Sequence, residues 1–175
     1  MTGKLILPPT YLELIDAPLI FLAGPIQGAA RWQDKAIDYI INNAPELYVA
    51  SPRRPLNAKF QKKDFSPEMY DEQVDWERYH LSKACENGAI LFWMAKEKEH
   101  NCDRAYAQTT RLEFGEHKKL HELLGVKIAV GIEERFTNER YIRRVMSQDC
   151  PEIKIYSTLE DTCDEVIRLA RLKRA

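Results

Sequence analysis

Apolar positions recur along the chain with two different periods. Short continuous apolar runs such as 19–23 and 89–94 are typical of strands buried on both faces of a parallel sheet. The segments between them carry apolar residues at three- and four-residue spacing, which is the pattern of a helix with one buried face. Their alternation predicts an α/β fold in which crossover helices connect parallel strands. The run 89–94 is the most apolar, so we expect it to be the central strand.

The pattern gives five strands and five helices. The predicted strands cover residues 19–23, 48–51, 89–94, 126–130 and 153–156. The helices are predicted from inward faces at Trp32, Ala36, Ile37, Ile40 and Ile41; at Val74, Leu81, Ala84 and Cys85, after an N-cap at Ser66; and at Leu112, Leu120, Leu123 and Leu124, ending at Gly125. A short helix is predicted over 140–146, and the last helix opens with a capping box of Ser157 and Glu160.

Two segments fall outside this pattern. Residues 1 to about 16 have no predicted partner, so this segment either packs on its own domain or crosses to a neighbouring chain. The polar stretch 53–66 is long for a connection, and long loops are usually functional or mobile. The 175 residues have the size of one domain, which we place over 1–175 with an N-terminal extension at 1–17.

Composition excludes several classes of protein. Lys and Arg number 26 and Asp and Glu 27, so no basic field attracts nucleic acid. The apolar runs are far too short to span a bilayer, and the N-terminus lacks a signal peptide, which predicts no membrane partner and a cytoplasmic location. The four cysteines are widely spaced and interpreted as reduced thiols, and no Cys and His pairs have the spacing of a metal site.

In parallel sheets, ligands bind at the carboxyl ends of the strands, so the residues that follow each strand are the first candidates. Gly24 and Pro25 follow the first strand, without the spacing of a dinucleotide-binding or P-loop motif. Gly24 either lets a small ligand approach the backbone or is an ordinary turn glycine. Both interpretations stay open at this point.

The segment 70–77 is the richest in acidic and aromatic side chains. Its acids, Asp75 among them, have an ordinary explanation as partners of a helix dipole. Gln73, Trp76 and Glu77 nevertheless share one helix face by their three- and four-residue spacing. Such a face suits a flat polar ring, for example a nucleobase.

The segment 109–116 has two interpretations. Thr110 and Glu113 fit a capping box, in which Glu113 only bonds the helix N-terminus. Alternatively, Glu113 projects over the strand ends as a nucleophile or base.

Taken in order, several motifs resemble one family. They are Leu22-Ala23-Gly24-Pro25, the later Trp32, Gln73-x-x-Trp76-Glu77, the apolar run 90–93 and Thr109-Thr110-Arg111-Leu112-Glu113-Phe114-Gly115. Together they are similar to the nucleoside 2-deoxyribosyltransferase family in its broader subgroup, over roughly residues 19–145.

The resemblance implies a flavodoxin-like, doubly wound sheet and an enzyme that exchanges the base of 2'-deoxynucleosides with free nucleobases, without a cofactor or metal. Glu113 matches the family's nucleophile, which forms a covalent deoxyribosyl intermediate. We assign the proton of the leaving base to Glu77, with Asp75 behind it. Gly24, Pro25, Gln73, Asp75, Trp76, Arg54 and Thr110 are the expected substrate-binding residues.

The chain also departs from the family. The tyrosine that orients the nucleophile in the smaller transferases is replaced by Phe21, and the chain ends in a basic helix in place of a base-binding carboxylate. The base preference therefore does not carry over. Family members form homo-oligomers in which a neighbour completes each site, and the same is expected here.

Two other functions stay open. Water in place of the second base would make the protein a nucleoside or deoxynucleotide N-glycosidase, with Arg31, Arg53 and Arg54 available for a phosphate. A non-catalytic protein could use the same pocket to sense a nucleotide. The hydrolytic members of the family that the chain resembles carry a phosphate loop richer in serine and glycine, and residues 24–30 contain no serine, so the resemblance favours free nucleosides, and hence transfer.

Overall fold

The computed structural model describes residues 4–12, 14–54 and 66–172. The strands are β1 (Lys4–Ile6), β2 (Leu19–Ala23), β3 (Tyr48–Ala50), β4 (Gly88–Met94), β5 (Ile128–Ile132) and β6 (Ile155–Tyr156). The helices are α1 (Trp32–Asn43), α2 (Pro67–Glu86), α3 (Gln108–Leu124), α4 (Glu139–Asp149) and α5 (Leu159–Arg171). The predicted loop 53–66 therefore lies largely outside the described residues.

The strands form one parallel sheet in the order β1-β3-β2-β4-β5-β6. Without β1, this is the strand order of a flavodoxin-like doubly wound fold, so the predicted fold class is confirmed. The chain leaves β2 towards one side of the sheet and later returns to β4 on the other side. The strand order switches between β2 and β4, and in such folds ligands bind in the crevice at the carboxyl ends of the strands beside this switch.

Helices cover the sheet on both faces. Trp32, Ala36 and Ile40 of α1 join Val166 of α5 in one buried cluster on the first face. The opposite face packs against α2, α3 and α4 and contains the larger cluster, with Trp76 among its members. Every residue of β4 is buried and β4 pairs with both β2 and β5, which confirms its central position.

The N-terminal segment does have a partner in the sheet. Lys4–Ile6 pairs in parallel with Tyr48–Ala50, which gives six strands where about five were predicted. Three residues that pair with a strand far along the sequence produce no local signal, because neither alternation nor length distinguishes them from a loop.

The predicted inward face of α3 is wrong for three of its four leucines. Leu112, Leu123 and Leu124 are 74%, 67% and 63% exposed, whereas Leu120 is partly buried and packs against the core. The buried side chains of this helix are Thr110, Phe114, His117 and Lys118. The polar members of this face are tolerated in the interior because they have partners: His117 bonds the Glu113 carbonyl, and the Lys118 ammonium pairs with Glu122 and Asp149. Val74 of α2 was also predicted to face inward but is exposed. The inner face of this helix is occupied by Trp76 and His80 among others.

The helix N-termini confirm one prediction and correct another. Ser66 caps α2, and its hydroxyl accepts a hydrogen bond from the Met69 amide at 3.3 Å. In α5 the cap is Thr158, which accepts from the Asp161 amide at 3.2 Å, so the predicted box of Ser157 and Glu160 lies one residue too early. The extended backbone of Thr158 decides between the two hydroxyl residues.

None of the helices in the described part of the chain is long and apolar enough to cross a bilayer. All four cysteines are free thiols.

Candidate active site

The crevice begins at the turn after β2. A Cβ atom at Gly24 would lie 2.4 Å from the Trp93 carbonyl oxygen and 2.6 Å from the Trp32 ring, so only glycine fits. The Pro25 carbonyl accepts the Trp32 indole N–H at 2.9 Å. The packing of the chain itself accounts for Gly24, which is the simpler of its two interpretations, and it fixes the backbone beside the crevice.

A polar network joins α2 to the end of β3. The Gln73 side-chain nitrogen donates to the Pro52 carbonyl and to Glu77 Oε1, both at 2.8 Å. Its oxygen accepts from Arg54 Nε at 3.0 Å, and Arg54 also pairs with Glu72 at 2.9 Å. Because both the nitrogen and the oxygen of its side-chain amide have partners, Gln73 is fixed in one orientation and orients Glu77. Burial raises the pKa of Glu77, while the hydrogen bond from Gln73 acts in the opposite direction.

Glu113 lies opposite this network in the second turn of α3. Burial, followed by the negative charges of Glu77 and Glu116, raises the pKa of Glu113 to about 8, with the positive charge of Arg78 acting in the opposite direction. The charge of Glu77 on α2 therefore acts on the carboxyl group of Glu113 on α3. Arg78 bridges the same helices through an ion pair with Glu116 at 2.8 Å.

The N-terminus of α3 is fixed without a capping box. Its N-cap is Ala107, which has the left-handed backbone conformation with φ of 58° and forms no side-chain cap. Thr110 and Glu113 lie inside the helix, so the capping interpretation of Glu113 is wrong. The Tyr106 hydroxyl donates to the Ala95 carbonyl at 2.7 Å and anchors this helix start to the end of β4.

The structure separates two of the predicted binding residues from the crevice network. Trp76 is fully buried in the core, its indole N–H donates to the Thr10 carbonyl at 2.7 Å, and its ring lies 4.1 Å from that of His80. Trp76 therefore packs α2 against the core of the domain. Asp75 is exposed on the outer side of α2, where its charge acts on Tyr11. A third predicted binding residue, Thr110, is buried in the first turn of α3.

The family model for nucleoside 2-deoxyribosyltransferase-like proteins matches residues 17–124. The chain belongs to this family. The match covers more than half of the chain, from β2 to the end of α3, and it contains Gly24, Gln73, Glu77 and Glu113. No curated protein matches the chain.

The sequence motifs did not indicate the groups that position Glu77 and Glu113. Arg78 and Glu116 connect α2 to α3, and the Pro52 carbonyl orients Gln73. A backbone carbonyl has no sequence signal. Arg78 could have been noticed because it follows Glu77 directly in the sequence. Its contact with Glu116, however, depends on how α2 and α3 pack.

Proposed function

We propose that this family member is a nucleoside 2-deoxyribosyltransferase that exchanges the base of 2'-deoxynucleosides through a covalent intermediate on Glu113. The observation that supports the proposal is a pair of partly buried glutamates, Glu77 on α2 and Glu113 on α3, whose charges interact and whose pKa values are both raised by burial. Two carboxyl groups on either side of an anomeric carbon are the chemical requirement of a retaining displacement.

In the proposed reaction, a Glu113 carboxylate oxygen attacks C1' while the bond from C1' to the base nitrogen breaks. The bonding electrons leave with the base, which takes the carboxyl proton of Glu77. In the second half, a nitrogen of the incoming base attacks C1', Glu113 leaves as a carboxylate, and the proton of the incoming base returns to Glu77. Two inversions at C1' retain the configuration.

The reaction needs Glu113 ionised and Glu77 protonated. The raised pKa values of both residues are consistent with one proton held by the pair near neutral pH, and moving it from Glu113 to Glu77 gives the reactive form without exchange with solvent. Positive charge that develops at C1' beside Glu113 favours this movement, because it stabilises the carboxylate there.

Free nucleosides are the proposed substrates in preference to 5'-phosphates. The arginines considered for a phosphate each have protein partners: Arg31 pairs with Asp34, Arg53 donates to Gln33 at 3.2 Å, and Arg54 is bound by Glu72 and Gln73. A phosphate would have to displace these contacts.

We further propose that a second copy of the chain completes the site. Leu112, one position before Glu113 in α3, is 74% exposed and offers an apolar contact to a second chain. Light scattering after size-exclusion chromatography measures the assembly, and a monomer with full activity would contradict this part of the proposal.

The deciding experiment is chromatography of deoxyadenosine incubated with the protein, with and without cytosine. Deoxycytidine that forms only when cytosine is present supports transfer, whereas free deoxyribose in both samples supports the N-glycosidase alternative. Adenosine in place of deoxyadenosine should react poorly, because a 2'-hydroxyl must fit beside Glu113.

The mass of the intact protein after mixing with deoxyinosine should show a deoxyribosyl adduct. Absence of the adduct, together with nucleoside binding, would favour a sensor.

A further inference from the structure

Three side chains with metal-binding atoms meet at the end of α3 remote from Glu113. His121 lies in the last turn of α3, Cys150 is the C-cap residue of α4, and Glu152 follows in the next turn. One ligand atom of each lies within 4.8 Å of the other two. His121 is far from Cys150 in the sequence, so no local spacing motif reveals the cluster.

The His121 ring is already oriented as in many metal sites. Its Nδ1 lies 2.7 Å from the Val126 carbonyl oxygen, and since a carbonyl only accepts, Nδ1 carries a proton. The opposite nitrogen, Nε2, faces Glu152 Oε1 at 2.7 Å. Histidine ligands of metals typically donate their second N–H to a carbonyl or carboxylate, which fixes the ring and directs the lone pair of the other nitrogen to the ion.

The charge around the cluster suits a dication. Carboxylates of Glu122, Asp149 and Glu152 surround it, and Cys150 Sγ lies 3.8 Å from Glu122 Oε1. The ammonium groups of Lys118 and Lys119 offset two of these charges. With Cys150 as a thiolate, two negative charges remain, which equals the charge of one divalent ion.

We propose that His121 Nε2, Cys150 Sγ and the Glu152 carboxylate bind one divalent transition-metal ion such as Zn²⁺. A thiolate and an imidazole select zinc or cobalt over magnesium or calcium. The Glu152 side chain is 61% exposed, so it can move inward to the ion while water fills the fourth position. Binding displaces the thiol proton of Cys150 to solvent and uses the lone pair of His121 Nε2.

The ion would join the end of α3 to the turn after α4. His121 lies about 12 Å along the helix axis from Glu113, at 1.5 Å per residue, so the ion would not touch the reacting atoms. Its expected effect is on stability, which makes this proposal independent of the proposed transferase activity.

The test uses the full chain without a polyhistidine tag. A hundredfold excess of ZnCl₂ over its Kd should raise Tm by about 5–10 °C, and a chelator should reverse the rise. CoCl₂ should give a thiolate-to-cobalt charge-transfer band in the near ultraviolet at one ion per chain. Cys150→Ser should remove the band and the Tm shift, and Glu152→Gln should weaken both, while Cys102→Ser, which changes an exposed thiol elsewhere, should leave both intact.

The proposal is overturned if Co²⁺ gives no charge-transfer band with the wild type, or if the band survives in Cys150→Ser. Glu152→Gln keeps the test valid if Cys150→Ser does not fold, because Glu152 is exposed and its substitution leaves the core unchanged. A Tm shift retained in Glu152→Gln at equal Zn²⁺ affinity also contradicts the assigned ligand set.

Discussion

Glu113 is subject to two opposing demands at the scale of a single residue. Its burial beside Glu77 makes ionisation costly in the folded protein, with a pKa of about 8, whereas the proposed reaction requires its carboxylate. Active sites commonly contain groups whose environment disfavours the charged form that the chemistry uses.

Replacing Glu113 by Gln should lower kcat by roughly three orders of magnitude or more, because the amide cannot form the intermediate. Glu116→Gln is the matched control, since Glu116 lies one turn further along α3 and pairs with Arg78. It should change kcat only modestly. Steady-state rates of base exchange check both variants, and near-wild-type activity of Glu113→Gln in a folded protein would exclude the nucleophile role.

Stability should depend on pH through the same side chain. The pKa of Glu113 rises from its ordinary 4.5 to about 8 on folding, so the folded state binds the proton more tightly. This contribution is complete below about pH 4.5 and is lost as pH rises through 8. Glu113→Gln should therefore gain stability relative to wild type between pH 5 and pH 8. Thermal unfolding at both pH values measures the gain, and parallel pH profiles would contradict it.

Glu77→Gln should distinguish donors by their leaving group. Natural deoxynucleosides should react slowly, because their base needs a proton, while a 7-methylguanine donor, which leaves without one, should keep most of its rate. The high-pH limb of kcat/KM should also disappear, since it reports loss of the proton from the pair. Equal slowing of both donors would place Glu77 on the sugar or on Glu113 itself. Unchanged rates would leave it as a partner of the helix dipole.

Elements differ in how well the sequence predicts them. The buried strands β2 and β4 were predicted because continuous apolar runs of five to seven residues allow few other structures. The inward face of α3 was not, because three leucines outweighed the polar residues that the interior accommodates through His117 and Lys118. Backbone conformation decided the N-terminus of the same helix, since Ala107 adopts a positive φ that favours glycine and gives no sequence signal.

The candidate site shows the same division. Gln73, Glu77 and Glu113 could be selected from motifs; in the structure Gln73 hydrogen-bonds Glu77, and the charge of Glu77 acts on Glu113. Trp76 was misplaced, because an aromatic next to acids suits a ligand as well as it suits a core. The carbonyl of Thr10, which satisfies its indole N–H, belongs to a segment whose position no pattern indicated.

The turn after β2 gives a prediction at the scale of the element. Gly24→Ala should destabilise the protein by about 1–3 kcal/mol, because the added methyl group overlaps the Trp93 carbonyl and the Trp32 ring. Gly115→Ala is the opposite control: a Cβ there meets nothing within 4 Å, and alanine is the better helix former by about 0.5–1 kcal/mol. Denaturant unfolding measures both, and equal effects would contradict the packing argument.

At the scale of the whole molecule, the N-terminal segment is attached to the domain through α2. Trp76→Phe should destabilise the protein by about 1–3 kcal/mol, because it shrinks a fully buried ring and removes its hydrogen bond to the Thr10 carbonyl. Tyr79→Phe removes a longer bond, of 3.4 Å, to Leu12 of the same segment and should cost less. Thermal unfolding ranks the two variants, and limited proteolysis tests whether residues 4–12 become accessible. A reversed ranking would show that the Tyr79 contact is the stronger attachment.

Both outer strands of the sheet are too short to recruit another chain. β1 has three residues and β6 two, and each edge carries a lysine above a tyrosine ring: Lys4 over Tyr48 at 4.4 Å and Lys154 over Tyr156 at 4.7 Å. Short, charged edges are a common protection against edge-to-edge aggregation, because little unpaired backbone remains to template a further strand. Copies of this chain should therefore resist fibril formation from the native state through the described strand edges.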